Sequence, residues 1–116
     1  MRVLVCGSRN FIDTESFDEV MDNYIGKVTT VIHGSARGAD MQAHLWGLRN
    51  NIPIEEYPAD WNTYGKAAGR IRNKQMLEEG KPDLVIAFLA KDSIGTKDMI
   101  NQSKTKGVEV KVINVS

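Results

Sequence analysis

A chain of 116 residues with 41% hydrophobic side chains is enough for one domain with one modest core, and residues 1–116 are read as a single domain. Its 15 basic and 15 acidic side chains cancel, which argues against coating nucleic acid or an anionic membrane, although a local basic pocket stays open. A single cysteine, Cys6, rules out a disulfide framework, and no apolar run approaches the roughly 20 residues of a membrane helix.

Short apolar runs alternate with helical patterns. "RVLVC" (2–6) reads as a buried strand, and the apolar stretch it belongs to is too short for a signal peptide, so a cytoplasmic protein is expected (in the host cytoplasm if the gene is viral). "TESFDEVMDNY" (14–24) sets Phe17, Val20, Met21 and Tyr24 at helical spacing, with Asp13 or Thr14 as cap and Gly26 as stop. "VTTVIH" (28–33) is a second strand, and "GADMQAHLWGLRN" (38–50) a helix with Ala39, Ala43 and Trp46 on one face. "IPIEEY" (52–57) is a short polar strand, and "GKAAGRIRNKQMLEEG" (65–80) a helix closed by Gly80 and Pro82. "DLVIAFLA" (83–90) is the most apolar strand; "GTKDMINQSKTKG" (95–107) is the last helix and "VEVKVINV" (108–115) the last strand.

This alternation predicts a parallel sheet with helices on both faces, a Rossmann-like three-layer α/β/α fold. Strands covered on both faces are continuously apolar, whereas edge strands tolerate charge. "VLVC" and "LVIAFLA" therefore belong in the centre, and "IPIEEY" and "VEVKVINV" at the edges. The order 3-2-1-4-5 follows. Ligands of such sheets bind beyond the carboxyl ends of the strands, where the order reverses between strands one and four.

Three small-residue turns meet at that edge. "GSRNF" (7–11) follows strand one and offers Gly7, Ser8, the cation Arg9, and Phe11. "HGSARGAD" (33–40) follows strand two; Gly34, Ser35, Ala36, Arg37 and Gly38 leave the backbone open at a helix start, where unpaired N–H groups favour phosphate. Asp40 in the first turn of that helix either favours the helix dipole and holds the loop or meets a ribose. "DSIGTKD" (92–98) follows strand four, with Ser93, Gly95 and Thr96 at another helix start. Neither G-x-G-x-x-G nor G-x-x-x-x-G-K-[ST] is present, which argues against an ordinary dinucleotide enzyme or P-loop NTPase. The convergence of the three turns points to a phosphorylated ligand. A fourth loop, "PADWNTYGKAAGRIRNKQM" (58–76), brings Asp60, Trp61, Arg72 and Asn73. It reads as a solvated helix with a buried Trp61, as a wall over the crevice, or as a subunit contact.

These segments, with "VIAFLAKDSIGTKDMI" (85–100), resemble over nearly the whole chain the small stand-alone YspA/YpsA-related branch of the SLOG superfamily, distantly related to the LOG phosphoribohydrolases and the Smf/DprA proteins. The resemblance implies a Rossmann-like domain binding nucleotides or nucleotide-derived ligands. "GRIRNKQM" (69–76) is similar to the LOG arginine-rich helix and sets Arg72 near its catalytic arginine. "DSIGTKDM" (92–99) is similar to the LOG "PGGxGTxxE" turn, with Met99 in the glutamate's place and Asp98 one residue short, about 100° away on a helix. The resemblance thus implies phosphate binding more than glycosidic hydrolysis, with Arg72 and Asp98 as the catalytic candidates if hydrolysis survives. It also implies a binder that senses or sequesters a nucleotide-derived signal, such as an ADP-ribose derivative or cyclic nucleotide of an immune system if the gene is phage-encoded.

Other chemistry is thin. His33, His44 and Cys6 suggest no metal cluster, no cofactor is called for, and no Ser-His-Asp set can be assembled. His33 and His44 read as packing or surface residues. The expected partners are a nucleotide-derived small molecule and further copies of the chain, as a dimer or higher assembly. DNA binding ranks third because the net charge is zero.

Overall fold

A computed structural model describes residues 1–115; Ser116, the end of the expected domain, lies outside the described residues. The elements are β1 (Arg2–Gly7), α1 (Thr14–Met21), β2 (Thr30–His33), α2 (Ala39–Arg49), β3 (Ile54–Glu56), α3 (Trp61–Tyr64), α4 (Ala68–Gly80), β4 (Leu84–Leu89), α5 (Ile94–Lys106) and β5 (Glu109–Asn114). All neighbouring strands pair in parallel, in the order β3-β2-β1-β4-β5. This is the expected three-layer, Rossmann-like arrangement. The register sets Gly7 at the end of β1 beside Phe88 of β4, which fixes the strand reversal where the loops after both strands emerge.

Alternation along the central strands divides the core in two. Val3 and Val5 of β1, Val31 of β2, and Ile86 and Phe88 of β4 face α1 and α2, meeting Phe17, Met21, Ala43 and Trp46. Leu4, Cys6, Ile32, Val85 and Ala87 face the other way, onto Met76 and Leu77 of α4 and Met99 and Ile100 of α5. Each large side chain so buried contributes about 1.5–3 kcal/mol. The polar atoms this core buries are paired: Trp46 Nε1–H donates to Asp22 at 3.0 Å and the Ser103 hydroxyl to the Met99 carbonyl at 2.7 Å.

Local signals set the helix ends. Asp13 caps α1 by accepting from the Ser16 N–H at 3.1 Å, and Gly107 closes α5 in the left-handed conformation. The helix expected over 65–80 is present as a 3-10 turn at Gly65–Ala67 leading into α4, and a further short helix precedes it. Asp60 caps a short α3 by accepting from the Thr63 N–H at 3.1 Å. Gly65 then turns the chain at φ +55°, and α4 begins at Ala68. Trp61 is half exposed at the rim, not buried.

Candidate functional site

A crevice of about 1070 Å³ opens beyond the carboxyl ends of β1 and β4, at the strand reversal. A smaller hollow of about 260 Å³ adjoins it and shares Arg9, Ala36 and Arg72 with it. Of the residues singled out in the sequence, Gly7, Ser8, Arg9, Ala36, Asp40, Arg72, Asn73, Ser93, Gly95 and Thr96 line the crevice. Gly34, Ser35, Arg37 and Trp61 line the smaller hollow.

Three expected ligand contacts belong elsewhere. Phe11 is buried and stacks on Phe88 with ring centroids 5.2 Å apart, so it is core. Asp60 spends its carboxylate on the cap of α3 and lines neither hollow. Gly38 is taken up by the crossing of two loops. Its φ is +75°, and a Cβ there would collide with the backbone of Ser8 and Arg9.

The glycines of "HGSARGAD" thus serve loop packing rather than ligand approach. A Cβ on Gly34 would meet the Arg72 guanidinium, and one on Gly7 would lie 2.7 Å from the Ala39 Cβ. The loop amides are also spoken for. The Gly34 and Ala36 N–H groups donate to Asp40 Oδ2 at 3.1 and 3.2 Å, and the Ser35 N–H donates to His33 Nδ1 at 3.0 Å. The carboxylate of Asp40 thus takes two of the loop amides expected to meet a phosphate. The start of α5 differs: no side chain caps it, and Ser93, Ile94, Gly95 and Thr96 line the crevice there; the Ser93 and Ile94 N–H groups turn back to the Ala90 and Asp92 carbonyls, which leaves the Gly95 and Thr96 N–H groups and the partial positive charge for the open space.

Arg72 is the hinge of the site. Its Nη1 donates to the Gly34 carbonyl at 2.5 Å and its Nε to Asn73 Oδ1 at 3.1 Å. Asn73 in turn donates to the Gly95 carbonyl at 3.2 Å and to Asp98 at 3.0 Å, joining α4 to the first turn of α5. Burial lowers the Arg72 pKa, opposed by Asp40, yet a guanidinium so far above neutrality stays charged. Arg9 stands at the mouth with its guanidinium carbon 5.6 Å from the Trp61 ring centroid, a cation–π arrangement. Burial raises the Asp40 pKa to about 6, against the pull of the Ala36 amide and Arg72. Burial also raises the Cys6 thiol far above neutrality, leaving it inert.

Neither Asp98 nor the Met99 position, where a hydrolytic glutamate would fall, lines the crevice. Asp98 is held by Asn73 and by Gln102 at 2.8 Å, and Met99 is fully buried between the sheet and α5. Sequence reasoning missed Asn10, Lys91, Lys97 and Asn114, which also line the crevice. The lysines beside "DSIG" were the available signal; Asn114 lies at the end of an edge strand and carried none.

The fold also gathers His33, His44 and Glu56, whose potential ligand atoms lie within 4.8 Å of one another, a cluster not expected from the sequence. The Ser35 N–H on His33 Nδ1 places the ring proton on Nε2, which donates to His44 Nδ1 at 3.0 Å. Ligation through Nε2 would need the proton on Nδ1, against that amide, so the tautomer opposes a metal there.

A parallel sheet in this order, with a crevice at the strand reversal, defines the Rossmann-like class of α/β folds. The chain belongs to the YspA, cpYpsA-related SLOG family, whose sequence model matches residues 1–64. It is 37% identical over 119 aligned residues to the gene 61 protein of Mycobacterium phage D29, spanning 94% of this chain and 93% of that protein. No solved structure matches. The family points to a nucleotide-related ligand or a related activity. Among the described residues no helix is long and apolar enough to cross a membrane.

Proposed function

We propose that the protein binds, without turnover, a phosphorylated nucleotide-derived small molecule in the crevice at the strand reversal. The observation that carries this reading is the placement of Arg9, Arg72 and the uncapped start of α5 on one cavity. A phosphate on the two guanidiniums gains charge-assisted bonds of about 1.5–3 kcal/mol each, and the α5 amides add the helix-end charge. The phosphate therefore sits nearer α5 than α2, because Asp40 already takes the Gly34 and Ala36 amides of the α2 loop and brings a negative charge there. Trp61 supplies an aromatic edge for a base or sugar. The likeness to a phage protein supports sequestration of an immune signal of ADP-ribose or cyclic-nucleotide type as the biological use. A dimer or higher assembly is part of the reading, supported by the exposed stripe of Met41, Leu45 and Leu48 along α2; a clean monomer in sedimentation would remove it.

The test is mass spectrometry of small molecules extracted from the purified protein, followed by titration of whatever is found. Arg9→Ala should weaken the phosphorylated ligand roughly tenfold or more and its dephosphorylated analogue far less. Equal losses for both would take the phosphate off Arg9. A second reading, hydrolysis of a nucleoside 5′-monophosphate to base and ribose 5-phosphate, is favoured by one feature: Asp40, a carboxyl with a raised pKa, beside Arg72. Base release by the wild type that vanishes in Asp40→Asn and Arg72→Ala would establish it over the first.

A further inference from the structure

Asp40 and Asp92 both line the crevice, but Asp92 is exposed at the rim whereas Asp40 is only 5% exposed. The two oxygens of Asp40 differ. Oδ2 accepts from the Gly34 and Ala36 amides, while Oδ1 makes no hydrogen bond among the described residues. Oδ1 is not sealed in, because no fully buried side-chain oxygen or nitrogen among those residues lacks a partner. It is an acceptor with one open direction, into the crevice that its residue lines.

Its surroundings decide what it accepts from. Gly34 stands between Asp40 and Arg72, giving its N–H to the carboxylate and taking the Arg72 guanidinium on its carbonyl. Carboxylate and cation therefore hold opposite ends of a single residue without forming an ion pair with each other. A second cation at Oδ1 would face the charges of Arg72 and Arg9, and an anion would face the carboxylate. A neutral donor meets neither penalty and satisfies the free oxygen. That donor must sit within a few bonds of the anion held by the arginines.

Resting on the reading of a phosphorylated nucleotide-derived ligand, we propose that Asp40 Oδ1 receives a ribose hydroxyl of that ligand. The crevice then separates ribonucleotides from deoxyribonucleotides. A site built to hold a hydroxyl loses more when the hydroxyl is missing than when a contact is merely lengthened, because the buried acceptor is left unpaired.

The experiment is calorimetric titration of the intact protein with AMP, GMP, CMP, UMP and ADP-ribose. It is repeated with the 2′-deoxy and 3′-deoxy forms of each mononucleotide that binds, and of the adenosine ribose of ADP-ribose if it binds. The wild type should favour the ribo form over one deoxy form roughly 10- to 100-fold. Asp40→Asn should shrink that preference to a few-fold or less, since its amide oxygen keeps the two loop amides while the charge is gone. Asp92→Asn should leave the preference intact. Equal affinity for ribo and both deoxy forms in the wild type overturns the inference and leaves the parent reading standing. So does an undiminished preference in Asp40→Asn, or its loss in Asp92→Asn alone. If no member of the panel binds, this inference falls, and the parent reading is decided by the small molecule extracted from the purified protein. Should Asp40→Asn fail to fold, the wild-type comparison decides on its own.

Discussion

Two buried groups of the α2 loop respond to pH in opposite directions over nearly the same range. Burial raises the Asp40 pKa from 3.8 to about 6. The native state thus holds that proton more tightly than the unfolded chain, and stability is lost as pH climbs from about 4 to 6. Burial lowers the His33 pKa from 6.5 to about 4, with Glu56 opposing. Here the unfolded chain holds the proton more tightly, and stability is lost as pH falls from 6.5 towards 4. At about 1.4 kcal/mol for each pH unit over which the two states differ by one proton, each group changes stability by about 3 kcal/mol. The two slopes nearly cancel in the wild type. Asp40→Asn removes one of them and keeps an oxygen for the Gly34 and Ala36 amides. Relative to wild type, its stability should rise by about 3 kcal/mol between pH 4 and 6.5, or about 2 M in urea midpoint. His33→Asn, which keeps an acceptor for the Ser35 amide, should slope the other way by a similar amount. Urea unfolding of the three proteins at four pH values reads this directly. An Asp40→Asn profile parallel to the wild-type one would refute the reasoning.

Other outcomes follow from packing. Gly38→Ala puts a Cβ into the Ser8–Arg9 backbone at φ +75° and should cost about 2–4 kcal/mol in urea unfolding. Met99→Glu places a carboxylate in the core beneath α5. It should lower the melting temperature sharply and yield no base release, whatever the likeness to a hydrolase turn. Arg72→Lys keeps the charge but cannot span the Gly34 carbonyl and Asn73 together, so ligand affinity should fall nearly as far as in Arg72→Ala, measured by titration.

The sheet order was legible because burial is written into composition: the apolar "LVIAFLA" can only be central, and Glu109 and Lys111 can only lie on an edge. The crevice followed from that order. The use of individual residues was less legible, because it depends on contacts between segments far apart in the chain. Phe11 looks like a loop aromatic until Phe88 is placed under it. Gly34 looks like a ligand cradle until Arg72, thirty-eight positions away, fills the space. Asp40 is local, yet a carboxylate folding back onto its own loop leaves no pattern distinct from one that favours a helix dipole. The Asp60–Thr63 cap was readable from spacing alone and was outweighed by the aromatic beside it.

The two tryptophans divide the molecule into separate optical channels. Trp46 is sealed in the core with its indole N–H on Asp22, so its emission is blue-shifted and changes only when the core opens. Trp61 is half in water with Arg9 against its ring, so its emission is redder and open to quenchers. A ligand that draws Arg9 off that ring changes the red component alone. Acrylamide quenching separates the two without a label, and a Trp46→Phe variant that still folds leaves a protein whose tryptophan fluorescence reports only on the mouth of the crevice.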